Sequence, residues 1–126
     1  GYYECISEPP ECTLTAMGSN YVEADCSSGG TFSVKGTWEN ILPVTSTYKA
    51  NLTCEAFGSY DDIDISPPSG GPSPWGVCLY GGGTPPGIYA VEGKIWNIDD
   101  PPNPIFIVEC GMSIVCTGPS DCLDYV

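Results

Sequence analysis

Histidine and arginine are absent from this 126-residue sequence, and lysine occurs only at Lys35, Lys49 and Lys94. Without an imidazole there is no Ser-His or Cys-His relay, and without a guanidinium no phosphate clamp, so catalysis would be left to carboxylates. The three cations face 16 acidic residues, giving a formal charge of −13. That balance excludes nucleic acid as a partner, because neutralising phosphates needs Lys or Arg in number. It also sets the chain against an anionic membrane surface, and no run approaches the roughly 18 apolar residues of a bilayer span. Helical stripes are missing as well: no window of about 11 residues carries one free of Gly and Pro. The chain opens on Gly1-Tyr2-Tyr3, with neither an initiator methionine nor a signal peptide, as a processed, mature product would.

Cysteine, by contrast, is plentiful. Cys5, Cys12, Cys26, Cys54, Cys78, Cys110, Cys116 and Cys122 make an even set of eight. Zinc sites want close Cys pairs, usually with histidine, whereas the shortest spacings here leave five or six residues between cysteines. Disulfides are therefore expected, and with them an oxidising, extracellular destination. Sequence leaves the pairing open. The short spacing suggests a Cys5 to Cys12 loop, and the series Cys110, Cys116, Cys122 suggests bonds among the last strands.

Strand patterns dominate the remainder. In Thr31–Trp38 the side chains Phe32, Val34, Gly36 and Trp38 alternate with Ser33, Lys35 and Thr37, the period of a half-buried strand. Tyr48–Ala56 repeats it, with Tyr48, Ala50, Leu52, Cys54 and Ala56 inward and Lys49, Asn51, Thr53 and Glu55 outward. Cys12–Met17 and Tyr21–Cys26, separated by Gly18-Ser19-Asn20, predict a hairpin. Asp61–Ile65, Trp75–Tyr80, Ile88–Asn97, Ile105–Val108, Met112–Thr117 and Cys122–Val126 add further strands. Gly93 suggests a bulge or a close neighbouring backbone, and the apolar run Ile105–Val108 suggests burial on both faces. Ser66–Pro74, rich in Pro, Gly and Ser, predicts an exposed loop biased to polyproline II. The expected fold class is all-β: a disulfide-stapled β-sandwich, Ig-like or Greek-key, of about ten short strands. One secreted domain over residues 1–126 is expected, with an extended N-terminal arm over about residues 1–11 where Pro9 and Pro10 disfavour a helix.

Five aspartates, Asp61, Asp62, Asp64, Asp99 and Asp100, are the only material for a carboxylate pair of the glycosidase kind. Aspartate beside Pro and Gly ordinarily forms turns, so no catalytic residue is assigned and the protein is read as non-enzymatic. Calcium, which takes about six to eight oxygens, makes Asp61, Asp62 and Asp64 candidate ligands, although an EF-hand would need glycine where Ser66 stands. No other cofactor is implied.

Asn51-Leu52-Thr53 is the one Asn-x-Thr glycosylation sequence, and alternation points Asn51 outward. Ser66, Ser69 and Ser73 have the Pro-rich surroundings of O-linked acceptors. Trp38 belongs to the core by pattern, while Trp75 and Trp96 are candidate contact aromatics. Two functions follow from these residues. One is a structural subunit that polymerises with itself, head to tail, into an extracellular, glycan-coated filament, through a terminal arm or strand addition. The other is a monomeric secreted carbohydrate-binding or effector-like module.

Overall fold

A computed structural model describes residues 8–55 and 58–117. Their regular structure is all β: β1 (Glu11–Thr15), β2 (Tyr21–Asp25), β3 (Ser28–Glu39), β4 (Tyr48–Cys54), β5 (Gly58–Ile65), β6 (Gly70–Gly82), β7 (Gly87–Asn97) and β8 (Ile105–Thr117). These are fewer and longer strands than the turn signals predict. Ile105–Val108 and Met112–Thr117 fuse through Gly111 into β8. β6 starts inside the Pro-rich stretch and runs into the glycines beyond Tyr80. The predicted loop at residues 66–74 is thus a strand from Gly70 onward; Pro72 and Pro74 are tolerated because β6 is a sheet edge. The last predicted strand, Cys122–Val126, lies outside the described residues.

The strands form two sheets that pack face to face, in the orders β1-β3-β6 and β2-β8-β7-β4-β5. Every pairing is antiparallel except that of β2 with β8. The alternation read in β3 and β4 holds, with Phe32, Val34 and Trp38 facing Tyr48, Ala50, Leu52 and Cys54 in one core. Trp75 is the wedge in that core. A Cβ on Gly36 would collide with its indole, and one on Gly93 would stand 2.7 Å from its Cζ3. Gly93 is therefore required by a close side chain, not by a bulge; the β7 bulge falls between Ile95 and Trp96. Trp75 also stacks on Trp38, with ring centroids 6.1 Å apart. Its buried indole N–H finds no partner among the described residues, a local penalty of about 1–3 kcal/mol that close packing outweighs.

The expected hairpin over residues 12–26 does not form. β1 pairs with β3 in one sheet, and after a tight turn at Met17-Gly18, both at positive φ, the chain crosses to run beside β8 in the other. Only the Ala16–Ser19 bridge joins the two segments. The N-terminal strands climb along β8, with Cys12 bonded to Cys110 and Cys26 to Cys116. A third bond, Cys54–Cys78, ties β4 to β6 across the core. The short Cys5 to Cys12 loop is accordingly wrong, and Cys110 and Cys116 tie the last strand to the beginning of the chain instead of to one another. Spacing misled because sheet packing, not proximity in sequence, brings sulfurs together. Cys5 and Cys122 lie outside the described residues. The first two bonds close loops of 98 and 90 residues, each worth about 4–5 kcal/mol in the chain-entropy picture.

This topology gives the molecule two ends. β1, β2, β4, β6 and β8 run one way, and β3, β5 and β7 the other. At the lower end lie Glu8 and Pro9, whose side chain and carbonyl accept from Asn40 Nδ2, together with the 40–47 connection. At the upper end lie Thr117, whose carbonyl accepts from the Cys26 amide, and the start of β3.

Candidate functional site

Two surface features follow from this architecture, and the first is a strand position that no described residue fills. β3 has 12 residues, but β1 covers only Lys35–Glu39 before the chain crosses to the other sheet. On that side nothing among the described residues pairs with Ser28–Val34, whereas β6 pairs with β3 along its other side as far as Ser28. An open cavity of about 520 Å³ sits beside this lane, lined by Thr15, Met17, Gly18, Thr31, Ser33 and Pro72 among others. Met17 at its mouth is 71% exposed. The lane itself reads Ser28-Gly29-Gly30-Thr31-Phe32-Ser33-Val34, with neither charge nor proline.

Three other sheet margins, those of β6, β5 and β2, are guarded. β6 carries Pro72 and Pro74, β5 carries Asp61, Asp62 and Asp64, and β2 exposes Glu23 and Asp25. These are the devices by which proteins keep edges from pairing. Chemically, an unguarded lane offers main-chain donors and acceptors to an extended segment.

The second feature is a cleft of about 450 Å³ on the outer face of the five-stranded sheet, lined by Lys49, Asn51, Asp61, Asp62, Trp96 and Pro104 among others. Asp61 and Asp62 together face Asn51 across a β-bulge, with Asp62 at φ 60°. Trp96 Nε1 donates to Asn51 Oδ1 at 2.8 Å. Phe106 meets the Trp96 ring edge-on at a centroid distance of 5.5 Å. Phe106 is 46% exposed and Ile105 61%, so the Ile105–Val108 run is not buried on both faces. The three-stranded sheet covers only the inner face of its partner, which leaves the outward side chains of β8 in water.

The remaining predicted site residues are dispersed. Trp96 faces outward as expected, but Trp75 is only 3% exposed and is a core residue, not a contact aromatic. Its position in β6 points it inward between Gly36 and Gly93, a placement the preceding prolines disguise. Asp64 pairs with Lys49, which also approaches the Asp62 carbonyl at 3.5 Å. Among the described residues no three acidic or sulfur ligands converge as a metal site would need. Ser66 and Ser69 are exposed and Ser73 is half-buried in β6; the Ser66 carbonyl accepts from Trp38 Nε1 at 2.9 Å. Asp99 and Asp100 are turn formers. Asp99 accepts from the Thr47 amide at 2.8 Å, and Asp100 from Asn103 Nδ2 at 3.0 Å.

Electrostatic tuning is mild and peripheral. The Ser27 hydroxyl, then its amide, hold the Asp25 carboxyl below its ordinary range. The Thr47 amide, then the Ser46 hydroxyl, do the same for Asp99. The Asp64 carboxylate raises Lys49. Asp25 and Asp99 are exposed, and Lys49 lines the outer-face cleft. The sequence pattern reveals neither the lane beside Ser28–Val34 nor the Phe106 partner of Trp96. The first has no local signal, because it arises from a sheet change; the second has one in the apolar run that follows Pro104. No protein-family model matches this chain, and a search of curated proteins finds no match.

Proposed function

We propose that this protein is a non-enzymatic structural subunit of an extracellular, glycosylated filament or coat, whose copies join head to tail by strand addition. The observation that carries the reading is the lane beside Ser28–Val34 at the upper end, which no described residue fills, opposite the lower end where β1 begins. The occupant is the segment Gly1–Ser7 of a second copy. A copy stacked above presents its lower end to the upper end of the copy below. A segment entering this way runs in the sense of β1, antiparallel to β3, and so continues the pairing that β1 begins. Such a contact uses different surfaces on the two copies and does not close, which yields an open filament.

We infer further that the sandwich is Ig-like. A split first segment, a β1-β3-β6 sheet and a five-stranded sheet with β7 and β8 near its centre support an Ig-like sandwich. The disulfides differ from that family's B–F bond, for they tie β1 and the end of β2 to β8 and β4 to β6. Three disulfides in a small all-β structure are compatible with an oxidising destination.

Light scattering and negative-stain electron microscopy test the reading. The intact chain is expected to form filaments with a regular repeat, and a chain lacking residues 1–7 to stay monomeric. A stable monomer near 13.3 kDa plus glycan under all conditions overturns it. So does truncation without effect. The monomeric carbohydrate-binding alternative would use the Trp96 cleft, and binding of a free glycan by a stable monomer would favour it.

A further inference from the structure

The Trp96 cleft lies on the flank of the molecule, away from the lane, and its parts fit a single covalent occupant. Asn51 stands at its centre, on a strand flanked on both sides by pairing partners. The Trp96 indole holds Asn51 Oδ1, which turns Nδ2 away from Trp96; among the described residues that nitrogen has no hydrogen-bond partner. The bulge at Asp61-Asp62 opens the ladder opposite Asn51. Thr53, which completes the glycosylation sequence, is exposed two residues further along the same face. Beside these polar groups lie the apolar side chains Trp96, Ile98, Pro101 and Pro104, with Phe106 edge-on to Trp96, in a chain that carries a charge of −13. The volume of about 450 Å³ falls within the usual range of ligand clefts.

We infer that Asn51 carries an N-linked glycan whose first N-acetylglucosamine lies in this cleft against Trp96 and Phe106. The glycan is then a built part of the outer face rather than a freely swinging attachment. The electron-poor C–H face of a pyranose meets the negative face of an aromatic ring favourably. The donor is an oligosaccharide carried on a lipid pyrophosphate. Asn51 Nδ2 attacks the anomeric carbon and loses one proton, the C–O bond to the pyrophosphate breaks, and the lipid pyrophosphate leaves with the bonding pair. Because β4 is paired on both sides in the folded chain, transfer precedes folding, and the sugar settles into the cleft as β4, β7 and β8 assemble.

This deepens the glycosylated part of the proposed function but fails separately from it, since the test reads a monomeric property and can be made on the chain lacking residues 1–7. The protein is secreted from a host that performs N-glycosylation, and glycopeptide mass spectrometry reads occupancy at Asn51. One sample is then trimmed to a single N-acetylglucosamine and another stripped completely. Complete removal is expected to raise binding of a hydrophobic fluorescent dye severalfold and lower the melting temperature, while the trimmed sample stays near the untreated one. Thr53→Ala, which blocks transfer without touching the Asn51–Trp96 bond, should match the stripped protein. Ring-current shifts of the sugar protons should be present in the trimmed protein and lost in Phe106→Ala. An unoccupied Asn51, or complete removal that leaves dye binding and melting unchanged, overturns the inference.

Discussion

β3 is one strand with two unlike halves. Lys35–Glu39 is paired on both sides, and its Gly36 lies under the Trp75 indole at the centre of the core. Among the described residues Ser28–Val34 is paired with β6 alone, although its alternate residues Phe32 and Val34 are as deeply buried as Trp38. The inward faces of the two halves are therefore alike and their margins are not. Burial is a property of side chains and alternates regularly from Phe32 to Trp38, across both halves, while backbone hydrogen bonding on the β1 side is completed by described residues in one half only.

The strongest way to break this contrast is to guard the open half. Thr31→Asp with Ser33→Asp gives the lane the acidic protection that β5 already has. Both positions are exposed, so stability should change by less than about 0.5 kcal/mol while filament formation is lost. Retention of filaments at normal yield would show that the lane is not the junction. Next in size is the reverse experiment on the covered half. Gly36→Ala drives a methyl into Trp75 and should cost about 3 kcal/mol in a denaturant titration, yet leave assembly intact below the melting transition. If the two variants exchanged phenotypes, the division of β3 into a core half and a docking half would be wrong.

Much of this is legible in the sequence, and the missing part has a physical reason. The alternation of Phe32, Val34, Gly36 and Trp38, and of Tyr48, Ala50, Leu52 and Cys54, gives the core face directly because strand side chains repeat every second residue. The outward placement of Asn51 and Trp96 follows from the same period. Pairing is not legible. Cys12–Met17 and Tyr21–Cys26 have the composition of a hairpin, but the chain changes sheets between them, and no local pattern distinguishes a turn that returns from one that crosses. The lane beside Ser28–Val34, the true partner of Cys12 and the burial of Trp75 behind two prolines all depend on that tertiary choice. Phe106 beside Trp96 depends on a register shift between β7 and β8 at Ile95 and Trp96, which is equally silent in composition.

A smaller effect tests the other side of the three-stranded sheet. Pro74 stands on the β6 edge opposite Lys35, where it withholds a backbone donor. Pro74→Thr restores the N–H and should promote lateral bundling without replacing head-to-tail growth, seen as thickened filaments of unchanged axial repeat. Stability should shift by no more than about 1 kcal/mol. Bundling that appears equally in the unaltered protein would mean that proline is not the guard of this edge.

The smallest expected differences come from two aspartates near opposite ends of the molecule. Asp25 is held by Ser27 immediately before the lane, and Asp99 by Thr47 and Ser46 beside the lower connection. Both carboxyls titrate below the ordinary value of 3.8. Their contribution to stability is therefore complete above that value and is lost as pH falls through the depressed folded-state pKa. Asp25→Asn and Asp99→Asn should each melt slightly below the unaltered protein at neutral pH, and the gap should close in acid. Assembly separates them. The Asp25–Ser27 turn sets the entry to Ser28, so Asp25→Asn should raise the critical concentration for filament growth, by less than about tenfold, while Asp99→Asn leaves it unchanged. Equal effects on assembly would remove the upper end's claim to be where the arm is received, since a general loss of stability would then account for both.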